Sequence, residues 1–357
     1  MEKEVFPPIS PTETEPLSAI QKVVGARLSD ETRQRILEQQ AKQFTTQERP
    51  EWNQHEVPKT PEQVNLIEHA DHATDELLRR YGREPFHIPR ENYHLLDEEG
   101  RKKLKLGWES GGAYSIEDEA VLMRPESDPV IFSLVAYHET LHFKSYQALQ
   151  RLYPGKEVLP YRRGFEIITR HGHRSYFRRL DEAVIQELSN RYIRERLSEH
   201  PLTHDAVATS EGRRNLVLRH RDKLANKDAE FLETVVPYVA ALPDKVRVVF
   251  SQTDPPADQA RRAFDDCKYG NLFIHPYADD VHALHSLVDQ LYERNQGQFK
   301  NKEEIFELFV EATITGNVLS IGRLIETTFG KGSFRRLGEG KELVPEESDI
   351  ERESLPI

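Results

Sequence analysis

Three observations in this 357-residue chain predict an α+β fold, mostly helical, with a small sheet preceding a central helix. Apolar residues recur every three or four positions over several long windows, the signature of helices with one buried face. Strand-like sequence is confined to short stretches near 93–96, 112–123 and 161–177. With 37% apolar residues the chain can build a real core, as one large domain or two modest ones.

Residues 1–55 read as an accessory tail. Pro7, Pro8, Pro11 and Pro16 stand in an acidic, Thr-rich stretch that cannot build a core, although Ser29 to Phe44 has the pattern of a lone, very polar helix. Order is expected from Thr60, because Thr60-Pro61-Glu62-Gln63 is a capping box with proline in the first turn. Val64, Ile67, Ala70, Leu77 and Leu78 carry that helix to a stop at Gly82. His69 and His72 lie three apart on it, but without a carboxylate signature they are not expected to bind metal.

Tyr93 to Leu96 is short and mixed, whereas Gly112 to Met123 reads as one extended segment after a turn at Gly111-Gly112. The free edge of such a strand can add a peptide as an extra strand. Asp128 and Pro129 then start a helix: an N-cap oxygen, followed by a proline whose missing N–H costs nothing in the first turn. Ile131, Leu134, Val135, Leu141, Tyr146 and Leu149 form its apolar stripe, which predicts about six turns before Tyr153-Pro154-Gly155.

That helix carries His138-Glu139-Thr140-Leu141-His142. Four residues apart at 3.6 per turn, His138 and His142 lie one above the other and can reach a single zinc ion. Glu139 sits about 100° around the helix, too far to be an easy ligand but placed to touch a water on that metal. The single cysteine, Cys267, excludes a thiolate cluster, so nitrogen and oxygen must hold the ion.

Downstream, Tyr161 to Thr169 and His173 to Phe177 flank Arg170-His171-Gly172 and read as a hairpin with His171 and His173 exposed in its turn. The basic pairs Arg162-Arg163 and Arg178-Arg179 read as solvated strand ends. Leu180 to Leu188 predicts a helix with Glu182 near its start, from which a carboxylate can enter a metal site. A further helix through Val281, Leu284, Leu287, Val288 and Leu291 opens after His275 and Tyr277. Those two are candidates to stabilise an oxyanion, with simple packing the alternative for Tyr277. His282 and His285 read as partly exposed helix residues. Helices are expected at Asn301 to Ile314 and Asn317 to Phe329, and residues 338–357 form an acidic, loose tail.

Several functions are disfavoured. A net charge of −12 without a concentrated basic surface argues against nucleic acid as a partner. Leu308 to Ile325 carries Glu311, Asn317 and Arg323 and is no membrane span, and Met1-Glu2-Lys3-Glu4 lacks a signal-peptide pattern, so a soluble cytoplasmic protein is expected. No GxxxxGK[ST] phosphate loop is present.

From the HExxH helix and the Asp181-Glu182-Ala183 run that follows it, the chain resembles the gluzincin, thermolysin-like branch of zincin metallopeptidases over roughly residues 111–192. The resemblance implies a zincin-like domain at 56–337, with zinc held by His138, His142 and Glu182 and Glu139 as catalytic base. It implies a peptide or protein substrate. Gln186 stands where the family commonly has an aspartate to orient a zinc histidine, and the family's downstream histidine has no clear match. A metzincin is excluded, since Ser145 and Ala148 occupy its glycine and histidine positions. Glu187 is the alternative third ligand. The alternative function is a catalytically inactive zincin-like interaction protein that keeps the fold.

Overall fold

The computed structural model describes residues 19–25, 28–46, 52, 54–104, 111–152, 158–169, 174–208, 277–341 and 343. Within them the chain runs β1 (Lys22–Val24), α1 (Asp30–Thr46), α2 (Pro61–Arg80), β2 (Tyr93–Leu95), α3 (Glu98–Lys103), β3 (Gly112–Ser115), β4 (Ala120–Met123) and α4 (Pro129–Lys144). It continues through β5 (Gln147–Arg151), β6 (Val158–Arg163), β7 (Glu166–Ile168), β8 (Ser175–Tyr176), α5 (Arg178–Tyr192) and α6 (His204–Ala208). Helices α7 (Ala278–Arg294), α8 (Lys302–Thr315), α9 (Leu319–Phe329) and α10 (Ser333–Gly338) close it. The class is α+β: helices around two small sheets, ordered β1-β5-β6-β7-β8 and β2-β4-β3.

The central post is α4. Asp128 caps it, its side chain accepting from the N–H groups of Val130 and Ile131. Of its 16 residues 13 are buried, so this is a core helix covered on every side rather than one with a single apolar stripe. Helix α2 packs along it, with the capping box at Thr60 formed as its sequence demands. Between the two helices Lys144 is fully buried, its ammonium 2.7 Å from Asp71 and also bound by Asp75. A charge so placed is tolerable only because carboxylates meet it.

The helix is shorter than its stripe suggests. It stops at Lys144, Ser145 turns to extended backbone, and Tyr146 donates its N–H to the carbonyl of Thr313. Residues 147–151 become a strand with a partner on each side, so Leu149, which fits the helical stripe, fits a strand's alternation as well. Residues 112–123 are likewise not one extended segment but the antiparallel β3–β4 pair, folded where Ser115 binds Asp118 and Glu119 takes φ 49°. Residues 161–169 fold back at Gly164 into β6 and β7.

Packing begins at Ala19, well ahead of residue 56. Strand β1 pairs in parallel with β5, Lys22 opposite Ala148 and Val24 opposite Gln150. Helix α1 buries Ile36, Ala41 and Phe44, and the Phe44 ring meets Phe86 and Phe143 edge-on. The polar composition of this segment hid three apolar residues on one helical face. At the other end α8 and α9 lie where periodicity placed them. Among the described residues no helix is long and apolar enough to cross a membrane.

Candidate metal centre

Helix α4 presents His138 and His142 toward the second turn of α5, which brings Glu182. The two imidazole Nε2 atoms lie 3.2 Å apart, and Oε2 of Glu182 is 3.4 Å from each. An ion bound tetrahedrally with bonds of about 2.05 Å sets its donors about 3.3 Å apart. The triangle therefore has the size of one face of such a site. These three residues, all buried, are the one group of His, Cys, Asp or Glu side chains among the described residues able to hold a metal ion.

The His138 ring is oriented from behind. Gln186 donates its amide N–H to Oδ1 of Asn190 at 2.7 Å, which turns its carbonyl oxygen toward Nδ1 of His138 at 3.1 Å. An amide oxygen only accepts, so Nδ1 carries the proton and Nε2 keeps the lone pair a metal needs. Gln186 thus fixes the tautomer and the orientation of the His138 ring. For His142 the partner is Asp181, whose Oδ2 is 3.5 Å from Nδ1. Neither of those two atoms makes a hydrogen bond among the described residues, a buried mismatch that a proton on Nδ1 and a small shift would cure.

The electrostatics favour a bound cation. Burial and then the Arg163 charge lower the His142 pKa to about 4, against the pull of Glu182, which keeps this imidazole neutral as a ligand must be. Burial also works against the charge on Glu182, but the two histidines outweigh it and hold the carboxyl well below its ordinary range. Burial, with the charge of Glu182 adding, pushes both Glu139 and Asp181 up to about 7, although Arg163 opposes this. Four carboxylates, Glu139, Glu166, Asp181 and Glu182, thus act on one guanidinium, Arg163. A divalent ion supplies positive charge where this cluster lacks it.

Glu139 lies beside the triangle, under the edge of β3. Its carboxylate accepts the backbone N–H of Tyr114. Gly112 passes so close that a Cβ there would stand 2.8 Å from Cγ of Glu139 and 2.9 Å from Val135. Only a glycine lets this strand reach the helix.

Tyr277, at the start of α7, lies parallel to the His138 ring with centroids 6.0 Å apart, and its hydroxyl hydrogen-bonds Glu182. It belongs to the site. His275 falls outside the described residues, as do His171 and His173. Glu187 is turned away from the triangle, 3.2 Å from His285 and 3.1 Å from Arg191. His69 hydrogen-bonds the Tyr192 hydroxyl.

The basic pair at 162–163 is no solvated strand end. Arg162 donates to the carbonyls of Gly164 and Gly316, and Arg163 faces the metal triangle. Sequence offered no sign of this, because the contacts join a strand end to helices far along the chain. Asp181 carried one weak signal, its place next to Glu182. No protein-family model, no curated protein and no solved structure matches this chain.

Proposed function

We propose that this protein is a zinc-dependent peptidase acting on a peptide or protein substrate, with Glu139 as its general base. The observation that carries the reading is the triangle of 3.2–3.4 Å between His138, His142 and Glu182, with Glu139 beside it on the same helix. Bound there, zinc supplies a Lewis acid able to lower the pKa of a water molecule to about 7.

The chain's own groups complete the chemistry. Glu139, pushed up to about 7 mainly by burial, is poised to take a proton from the attacking water and return it to the leaving amine. The Tyr277 hydroxyl, next to Glu182, can donate to the oxyanion that develops on the substrate carbonyl. Strand β3 is an edge of its sheet, so an extended substrate can pair with it over Glu139.

A second reading, an interaction protein that keeps the metal without the chemistry, draws on the burial of the site: His138, Glu139, His142 and Glu182 are each at most 7% exposed. One pair of measurements separates them. Protein purified without chelator is expected to hold about one zinc per molecule and to melt at higher temperature with zinc than without. Glu139→Gln should keep the metal while cleavage of a peptide mixture falls roughly 10²- to 10⁴-fold. No metal, and none taken up on adding zinc, overturns the peptidase reading. Metal uptake with identical fragment patterns from both proteins leaves the interaction protein.

A further inference from the structure

Arg163 is a cation on which all four carboxylates around the triangle act, and its surroundings are built rather than incidental. Strands β6 and β7 are joined by Gly164 and Phe165, and their register sets Arg163 opposite Glu166. Side chains on a strand alternate between faces. Arg162 accordingly runs to the Gly316 carbonyl and the face of the Tyr146 ring, while Arg163 points to α5. The turn is docked there by a 2.7 Å hydrogen bond from the Phe165 N–H to Asp181, next to the ligand Glu182.

At that place Nη2 of Arg163 donates to Oε2 of Glu166 at 2.9 Å and lies 3.8 Å from Oε1 of Glu182. The other oxygen of Glu182, Oε2, is the one 3.4 Å from both histidines. The two oxygens thus have separate tasks. The Arg163 side chain is only 20% exposed, and its buried Nε makes no hydrogen bond among the described residues.

We propose that Arg163 is a positioning residue for the metal centre: its charge, paired with Oε1 of Glu182 at 3.8 Å, biases that carboxylate to offer one oxygen, Oε2, and so keeps a coordination position open. This rests on the metal reading above and goes beyond it, since neither the HExxH motif nor the ligand helix contains an arginine. A carboxylate has two equivalent oxygens and, left alone in front of a dication, can bind through both. A guanidinium charge 3.8 Å from one of them opposes that, the same Nη2 serving both Glu166 and Glu182. An ammonium on the shorter lysine stem does not reach that position with the same geometry.

The test compares wild type with Arg163→Met, Arg163→Lys and Glu166→Gln, using zinc affinity by chelator competition and the visible bands of the cobalt(II)-substituted protein. Those bands are strong for four-coordinate cobalt and weaken as coordination number rises. Arg163→Met should show weaker cobalt bands, because both oxygens of Glu182 then reach the metal, with zinc affinity changed by at least about threefold. Arg163→Lys should change the bands in the same direction. Glu166→Gln, which leaves Arg163 to Glu182 alone, should stay within about threefold of wild type, with its cobalt bands unchanged.

Arg163→Lys decides the matter if Arg163→Met does not fold. Either arginine variant with wild-type affinity and wild-type bands overturns the proposal and leaves the metal reading standing. So does a change in Glu166→Gln as large as that in the arginine variants, because the effect would then belong to the hairpin's stability. A wild type that binds neither zinc nor cobalt overturns both.

Discussion

Glu182 and Glu187 share one helix, Arg178–Tyr192, and both are buried, yet their partners give them opposite uses. Glu182 faces two imidazoles at 3.4 Å, of which that of His142 is kept neutral, and the three groups together can hold a cation. Glu187 already has its partners: His285 on α7, and the cations Arg191 and Arg194 on its own helix or just beyond it. Glu182→Ala is therefore expected to abolish tight zinc binding in a chelator competition, and Glu187→Ala to leave affinity nearly unchanged. Stability should respond the other way. Burial raises the Glu187 pKa, but His285 and the two arginines outweigh it and leave it at about 2, below its ordinary 4.5. Such a depressed acid contributes stability that is fully present above about pH 4.5 and is lost as pH falls toward 2, an effect on the order of 3 kcal/mol. Denaturant titrations from pH 6 down should show wild type losing stability faster than Glu187→Gln; parallel curves would remove this role from Glu187.

At the scale of elements, local pattern located most helices but not their ends. Caps are local chemistry, so Thr60, Asp128 and Asn301 start helices where their side chains can accept N–H groups from the first turn. The end of α4 was not legible, because Tyr146 and Leu149 satisfy a helical stripe and only the flanking strands β1 and β6 make residues 147–151 extended. The turn between β6 and β7 shows how much one backbone position can carry. Gly164 has φ +52°, and a Cβ there would lie 2.3 Å from Oδ1 of Asp181. Gly164→Ala should cost about 2–3 kcal/mol from the left-handed backbone and the displaced turn together, read as a lower urea midpoint. Because Arg163 and Asp181 flank this contact, zinc affinity should fall as well. A stable variant with intact affinity would show that the hairpin can move without disturbing the ligands.

For the molecule as a whole, residues 19–25 and 28–46 contribute to the core: β1 extends the larger sheet, and Phe44 is 6% exposed between Phe86 and Phe143, the latter on the motif helix. Phe44→Ala should therefore cost about 3–5 kcal/mol in denaturant unfolding, as for any buried phenylalanine, whereas a loss below about 1 kcal/mol would return this segment to the status of a tail. What the sequence by itself determined is what spacing along a helix dictates: His138 and His142 on one face, Glu139 off to the side, and an α+β class with helices in the majority. That Glu182 could join them from the start of a second helix is a sequence expectation, and the structure brings the three within 3.2–3.4 Å of one another. Only the tertiary structure decided that Gln186 orients His138, that Asp181 stands 3.5 Å from His142, that Tyr277 lies against His138, that Arg163 comes within 3.8 Å of Glu182, and that Val23, Ile36 and Phe44 pack inside. The reason is the range of the forces involved. A helix repeats its geometry every 3.6 residues and so writes neighbours into the chain, whereas a contact between a strand end and a distant helix exists only once the core has brought them together.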